Sequence, residues 1–146
     1  VEGNLVRGML GAMRKPLKKH AKDNAPIGSP TEYVHRVYRL YPGALRDSIR
    51  TSSRIDRKNG RVIVRLIAGG KSKKTGADVF YAHMIEFGTS GRIDNNPGVP
   101  ARPFMRTALD SQHNAAFIAA GDYMRKKLST KHGIDTKDIN IGVDEE

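Results

Sequence analysis

Arg50-Thr51-Ser52-Ser53-Arg54-Ile55-Asp56-Arg57-Lys58-Asn59-Gly60-Arg61-Val62-Ile63-Val64-Arg65-Leu66-Ile67-Ala68 reads as two antiparallel strands, 50–55 and 61–68, joined through Asn59-Gly60. Asn-Gly suits the positive φ angles of a tight hairpin turn. The run from Val62 to Ile67 is almost continuously apolar, which predicts a central strand covered on both faces. A sheet of about three to five strands built on this hairpin is the expected centre of the fold.

Outward from the hairpin the period changes from two to about four. Leu5, Met9, Met13 and Leu17 recur every four residues, with Val6 and Leu10 beside them, and predict an amphipathic helix from Leu5 to about Lys22. Asn4 is the expected N-cap, and Pro16 predicts a kink near Ala12. At the other end Pro103 suits a first helical turn, and Met105, Leu109, Ala116, Phe117, Ala120, Met124 and Leu128 form a stripe reaching about His132. Gly133 should stop it. The fold class is therefore α+β, an antiparallel sheet with a central hairpin packed against an N-terminal and a long C-terminal helix. One domain is expected over 1–134, followed by an acidic tail over 135–146.

Between these elements lie three irregular stretches. Residues 26–43 hold Pro26, Gly28, Pro30, Pro42 and Gly43 around Tyr33-Val34-His35-Arg36-Val37-Tyr38, which predicts an ordered arm with room for a short strand. Residues 69–78 are rich in glycine and lysine, and 88–101 contain Gly88, Gly91, Pro97, Gly98 and Pro100. Both predict loops, mobile in a monomer and ordered on assembly, because a long unpatterned loop in a small domain is usually functional or disordered.

The composition is basic: 26 Lys and Arg against 15 Asp and Glu give a formal +11. Residues 44–74 carry ten of the cations and only Asp47 and Asp56 as acids, whereas 135–146 hold five acids and Lys137 alone. Such a field favours polyanions, either nucleic acid or an acidic protein face. It equally suits a solvated basic surface. Apolar residues make up 38% and aromatics 6%, so part of the surface is expected to be buried only against partners. Cysteine is absent, which excludes disulfides and thiolate metal sites. No stretch approaches a membrane span and none resembles a signal peptide, so the expectation is a soluble chain with no membrane partner.

Catalytic patterns are missing. His20, His35, His83, His113 and His132 fall in different elements without a second ligand at metal spacing, and no serine sits in a nucleophile elbow. Gly69-Gly70-Lys71-Ser72 lacks the earlier glycine of a phosphate loop. His83 and Glu86 would share a helix face, where a structural pairing outweighs an acid–base role. Glu86, between Ile85 and Phe87, should be partly buried and need a partner, and Arg102 is the expected one. No cofactor, metal or enzymatic role is expected.

Phe80-Tyr81-Ala82-His83-Met84-Ile85-Glu86-Phe87-Gly88-Thr89, followed by Pro100-Ala101-Arg102-Pro103-Phe104-Met105-Arg106-Thr107-Ala108-Leu109, resembles the most recognisable stretch of the gene-product-ten-like neck and tail-completion proteins of lambda-like siphophages. Ala25-Pro26 and Gly43-Ala44-Leu45-Arg46-Asp47-Ser48-Ile49 also match that family's pattern, so the similarity runs from residue 5 to about 130. This chain departs in an insertion over 27–42 and in its acidic tail.

The resemblance implies a non-enzymatic structural subunit of a virion, assembled in the host cytoplasm as a ring, of six copies, in the neck. Its implied neighbours are identical subunits, head-closure proteins, and tail-tube or tail-terminator proteins, with non-specific DNA contact in the lumen. Glu86, Phe87, Gly88, Thr89, Arg102, Pro103 and Phe104 are the implied structural and assembly residues. The rival is a basic nucleic-acid-binding module using the 44–74 cations on phosphates. Against it, aromatics do not interleave with those cations.

Overall fold

A computed structural model describes residues 2–28, 33–34, 39–71, 76–91 and 97–137. The element order is α1 (Glu2–Asn24), β1 (Tyr33–Val34), β2 (Arg39–Leu40), α2 (Ala44–Ser48), β3 (Arg50–Asp56), β4 (Arg61–Ile67), β5 (Gly70–Lys71), β6 (Asp78–Val79), α3 (Ala82–Phe87) and α4 (Phe104–His132). The α+β class holds, with the β3–β4 hairpin lying between α1 and α4 in chain order and packed against α1.

The two long helices pack against each other antiparallel. Gly8 of α1 lies against Tyr123 of α4, and at the other end His20 Nε2 comes within 3.4 Å of Ser111 Oγ. Small residues permit the close approach: Ala21, Ala108, Ala116 and Ala120 are buried, and Tyr123 occupies the space that a side chain at Gly8 would fill. Leu10 and Leu17 supply the larger apolar side chains on the α1 side. Burying one such leucine stabilises the fold by roughly 1.5–3 kcal/mol.

The stripe predicted for α4 is rotated in part: Ala116 and Ala120 are buried as expected, but Leu109 and Phe117 are not. Phe104, Ala108, Ala116 and Ala120 face inward, while Leu109, Phe117 and Ile118 remain about half exposed. Large apolar residues mark a helix stripe only when the partner helix leaves room for them, and here the alanine face is the one that fits. Helix α1 starts at Glu2 and runs through Pro16 to Asn24, so Asn4 lies inside it and is not its N-cap. At the far end of α4, Gly133 takes φ 62° and stops the helix as expected.

Strands β3 and β4 pair in the expected antiparallel way, from Arg50↔Ile67 to Asp56↔Arg61. Four residues, 57–60, close the turn, with Gly60 at φ 62°. Asp56 organises it. Its carboxylate accepts from the Lys58 and Asn59 backbone N–H groups and from Asn59 Nδ2 at 2.9 Å. The Asn59 side chain first, and then these backbone donors, hold the Asp56 carboxyl below its ordinary range.

The expected sheet of three to five strands does not form among the described residues. Instead there are three separate two-stranded ladders, β1–β2, β3–β4 and β5–β6. Nor is β4 covered on both faces: none of its residues is fully buried, and Val62 is exposed. The apolar run from Val62 to Ile67 is therefore more than this domain alone conceals.

A compact cluster closes the end of the molecule where α1 finishes. Ala21, Ala25, Ala44, Leu45, Ile49, Ala77, Val79, Ala82, Phe104 and Ala108 pack together. Polar ties surround it. Arg46 Nε donates to the Lys22 carbonyl at 2.8 Å, and Ser48 Oγ accepts from the Gly69 N–H at 2.9 Å. Burial raises the Tyr81 hydroxyl above its ordinary range, with Tyr41 adding to the shift. The glycine- and lysine-rich stretch is thus anchored at both ends, by Gly70-Lys71 pairing with Asp78-Val79 and by buried Ala77. Mobility is expected over 69–78 and 88–101; of these stretches 72–75 and 92–96 lie outside the described residues, as does 138–146 of the acidic tail.

Candidate functional site

The junction of α3 with α4 brings the seven predicted assembly residues together. Pro103 precedes α4, and the missing cap at its N-terminus is supplied from elsewhere. Glu86, only 9% exposed, accepts from the backbone N–H groups of Met105 and Arg106, each at 2.9 Å. A carboxylate there satisfies two of the orphan donors of the first turn and meets the positive end of the helix dipole.

Glu86 is therefore committed to α4, and the expected Glu86–Arg102 ion pair does not form. Arg102 has an exposed side chain and joins through its backbone, donating N–H to the Ile85 carbonyl at 2.7 Å. The charge at Glu86 is matched by a helix terminus, a partner that residue types alone do not reveal. His83 is exposed and makes no hydrogen bond to Glu86, so the proposed pairing of these two is also absent.

Gly88 ends α3 at φ 74° and ψ 178°, a conformation that glycine tolerates and other residues resist. A Cβ at that position would meet the Val99 carbonyl at 2.7 Å and the Ala101 nitrogen at 2.8 Å. Next in the chain, Thr89 pairs with Val99 through reciprocal backbone hydrogen bonds of 2.9 and 3.2 Å. The base of the 88–101 loop is thus fixed, and Phe104 anchors its far side in the core at 3% exposure.

Phe87 has the opposite fate. It is 70% exposed, the most exposed large apolar residue among those described. It borders an open groove of about 500 Å³, walled by Met13 and Leu17 of α1, Val64 and Leu66 of β4, and Leu109 and Phe117 of α4. Glu86, Arg106, Asp110 and His113 line the polar part of its wall. Contiguous exposed apolar surface of this kind marks an interaction site, whereas single exposed apolar residues need no explanation. The sequence signal was the rotated α4 stripe: Leu109 and Phe117, counted as core, are instead the outer wall of the groove.

No group of three or more potential metal-ligating side chains occurs among the described residues. No described helix is long and apolar enough to cross a membrane.

Neither the curated proteins nor the solved structures compared with the chain gave a match. A protein-family profile does match it, over residues 4–88, the span from α1 through the hairpin to the end of α3; that family is described as "Bacteriophage HK97-gp10, putative tail-component". The chain belongs to the HK97-gp10-like family of bacteriophage tail components.

Proposed function

We propose that this chain is a structural, non-catalytic subunit of a ring in the phage neck, where it completes the tail and joins it to the head. The ring is of six identical copies, seated between head-closure proteins and tail-tube or tail-terminator proteins, and it assembles in the host cytoplasm. The observation that carries the reading is the groove beside Phe87, in a chain whose family is that of phage tail components. Subunits of a closed ring meet through two different faces. A rigid apolar groove with one projecting phenylalanine supplies such a face, and the Glu86 cap holds it in shape.

The second copy is the occupant to which the groove is assigned. Replacing Phe87 with Glu puts a charge where a neighbour must desolvate it, at the cost of no core contact, because the ring is already in solvent. Light scattering on the purified chain should then show loss of the assembled species with an unchanged circular dichroism spectrum. Complementation with the same variant should give unjoined heads and tails. A Phe87→Glu chain that assembles and joins normally would defeat this reading. So would a wild-type chain that remains monomeric and instead binds duplex DNA with a steep salt dependence, as the nucleic-acid-binding alternative requires.

A further inference from the structure

The β3–β4 hairpin stands alone as a sheet. Its register runs without a bulge from Arg50↔Ile67 to Asp56↔Arg61, and neither strand pairs with another described strand. Nor does any described residue hydrogen-bond to the main chain of 50–56 or 61–67 from outside the ladder. Alternate N–H and C=O groups along both outer edges therefore lack a described partner, an arrangement that accepts a further strand. The two edges open onto different grooves. Val64 and Leu66 of β4 line the apolar groove beside Phe87, whereas Ser53 and Ile55 of β3 line a second groove with Arg7, Leu10 and Arg14 of α1. A strand laid against β4, at ~4.8 Å, falls over the apolar groove.

We infer that the β4 edge of one subunit pairs with the β3 edge of a second copy of this chain, so that the hairpins of neighbouring subunits join into one sheet. The inference rests on the ring reading above and gives the ring its main-chain contact. Rotation about a ring axis leaves the direction of each strand along that axis unchanged. Because β3 and β4 run antiparallel within a chain, β4 of one copy and β3 of the next are antiparallel too, the more stable kind of ladder. Pairing β4 with β4 is an isologous contact, which builds dimers and not rings. The side chains agree. Arg61, Ile63 and Arg65 alternate onto the face turned away from α1, together with Arg54 and Asp56. Two β4 edges would set Arg61 and Arg65 of both copies on one face with no acid. β4 against β3 repeats the hairpin's own register, in which Asp56 stands opposite Arg61 and Arg54 opposite Ile63.

The helices set the curvature of such a sheet. α1 packs against the hairpin, and α4 stands beside α1 across the apolar groove, on the β4 side. Two strands are ~10 Å wide, whereas two helices side by side need ~18 Å. Hairpins repeated edge to edge therefore fit only if the sheet curves with the wider helix layer outside. Continued around a ring, that curve closes and leaves no strand edge free. Arg54, Arg61 and Arg65 then face the inside of the ring. The neighbour's β3 closes the groove beside Phe87, so the edge contact and the apolar contact are parts of one interface.

Since the chain contains no cysteine, single-cysteine variants report the contact without interference. Full-length Arg54→Cys chains are mixed in turn with Arg61→Cys, Ile63→Cys and Arg65→Cys chains, allowed to assemble and mildly oxidised. The three partners scan the stagger between copies. One mixture should give a disulfide between the two different variants roughly tenfold or more faster than either variant links to itself. Hydrogen exchange on the wild-type chain needs no variant to fold: on assembly it should slow roughly tenfold or more over both 50–56 and 61–67. No mixed disulfide in any of the three mixtures, or self-linked products in its place, overturns the inference. Exchange unchanged by assembly overturns it as well. Protection confined to 61–67 does the same, because the β4 edge would then be taken by something other than β3. Rings seen by electron microscopy without the mixed disulfide leave the ring reading standing, whereas a chain that stays monomeric overturns both.

Discussion

Replacing Glu86 with Ala removes both acceptors from the first turn of α4 and leaves the Met105 and Arg106 N–H groups without their partner. A hydrogen bond to a charged group contributes roughly 1.5–3 kcal/mol. The two here share one carboxylate, so they do not add fully. Arg106 lies at the exposed side of the turn, where water can replace part of what is lost. Losing a helix cap costs about 1 kcal/mol and up to about 2. Together these place the loss at about 3 kcal/mol. For a domain of this size that corresponds to a fall in melting temperature of about 10 °C, read by circular dichroism at 222 nm. Glu86→Gln keeps one acceptor oxygen and should lose about half as much. Arg102→Ala is the decisive control, because an exposed side chain outside the cap should change stability by no more than about 0.5 kcal/mol. An Ala variant that melts within about 2 °C of the wild type refutes the cap. Equal losses from Glu86→Ala and Arg102→Ala would restore the ion pair in its place.

Gly8→Ala should destabilise the chain although alanine is the better helix former, since the new methyl falls on the Tyr123 phenol; the expected net cost is about 1–3 kcal/mol by denaturant titration, and a double-mutant cycle with Tyr123→Leu should recover part of it. A Gly8→Ala chain as stable as the wild type would show that α1 and α4 do not approach so closely. At Asp56 the folded carboxyl is depressed, so its contribution is present above the ordinary aspartate range and is lost as pH falls through the lower folded value. The difference in melting temperature between the wild type and Asp56→Asn should therefore shrink as pH is lowered from about 5 to about 2, and a difference independent of pH would count against the turn geometry.

The parts of the fold legible in the sequence are those set by local pattern. The α4 stop at Gly133, the β3–β4 pairing and the closeness of the two motifs around Glu86 and Arg102 all follow from residue types at fixed spacing. What the pattern missed depends on who packs against whom. Leu109 and Phe117 carry the helical period of a core face, yet the side of α4 that meets α1 is the alanine side, because Gly8 and Ala21 let the helices approach closely. The apolar run of β4 likewise resembles a buried central strand, although no described strand covers its free edge. Both errors have one cause: apolar residues that the chain leaves exposed look like core in the sequence. The partner of Glu86 was missed for a different reason, since a helix N-terminus is a charge that no side chain announces.

Electron cryomicroscopy of the neck in joined virions of a phage encoding this chain would show whether the subunit forms the proposed ring. A closed ring of this subunit is expected between head and tail, with Phe87 buried in contact with the adjacent copy. Virions whose neck lacks the chain would contradict it, and so would a ring in which Phe87 and the groove beside it remain exposed to solvent.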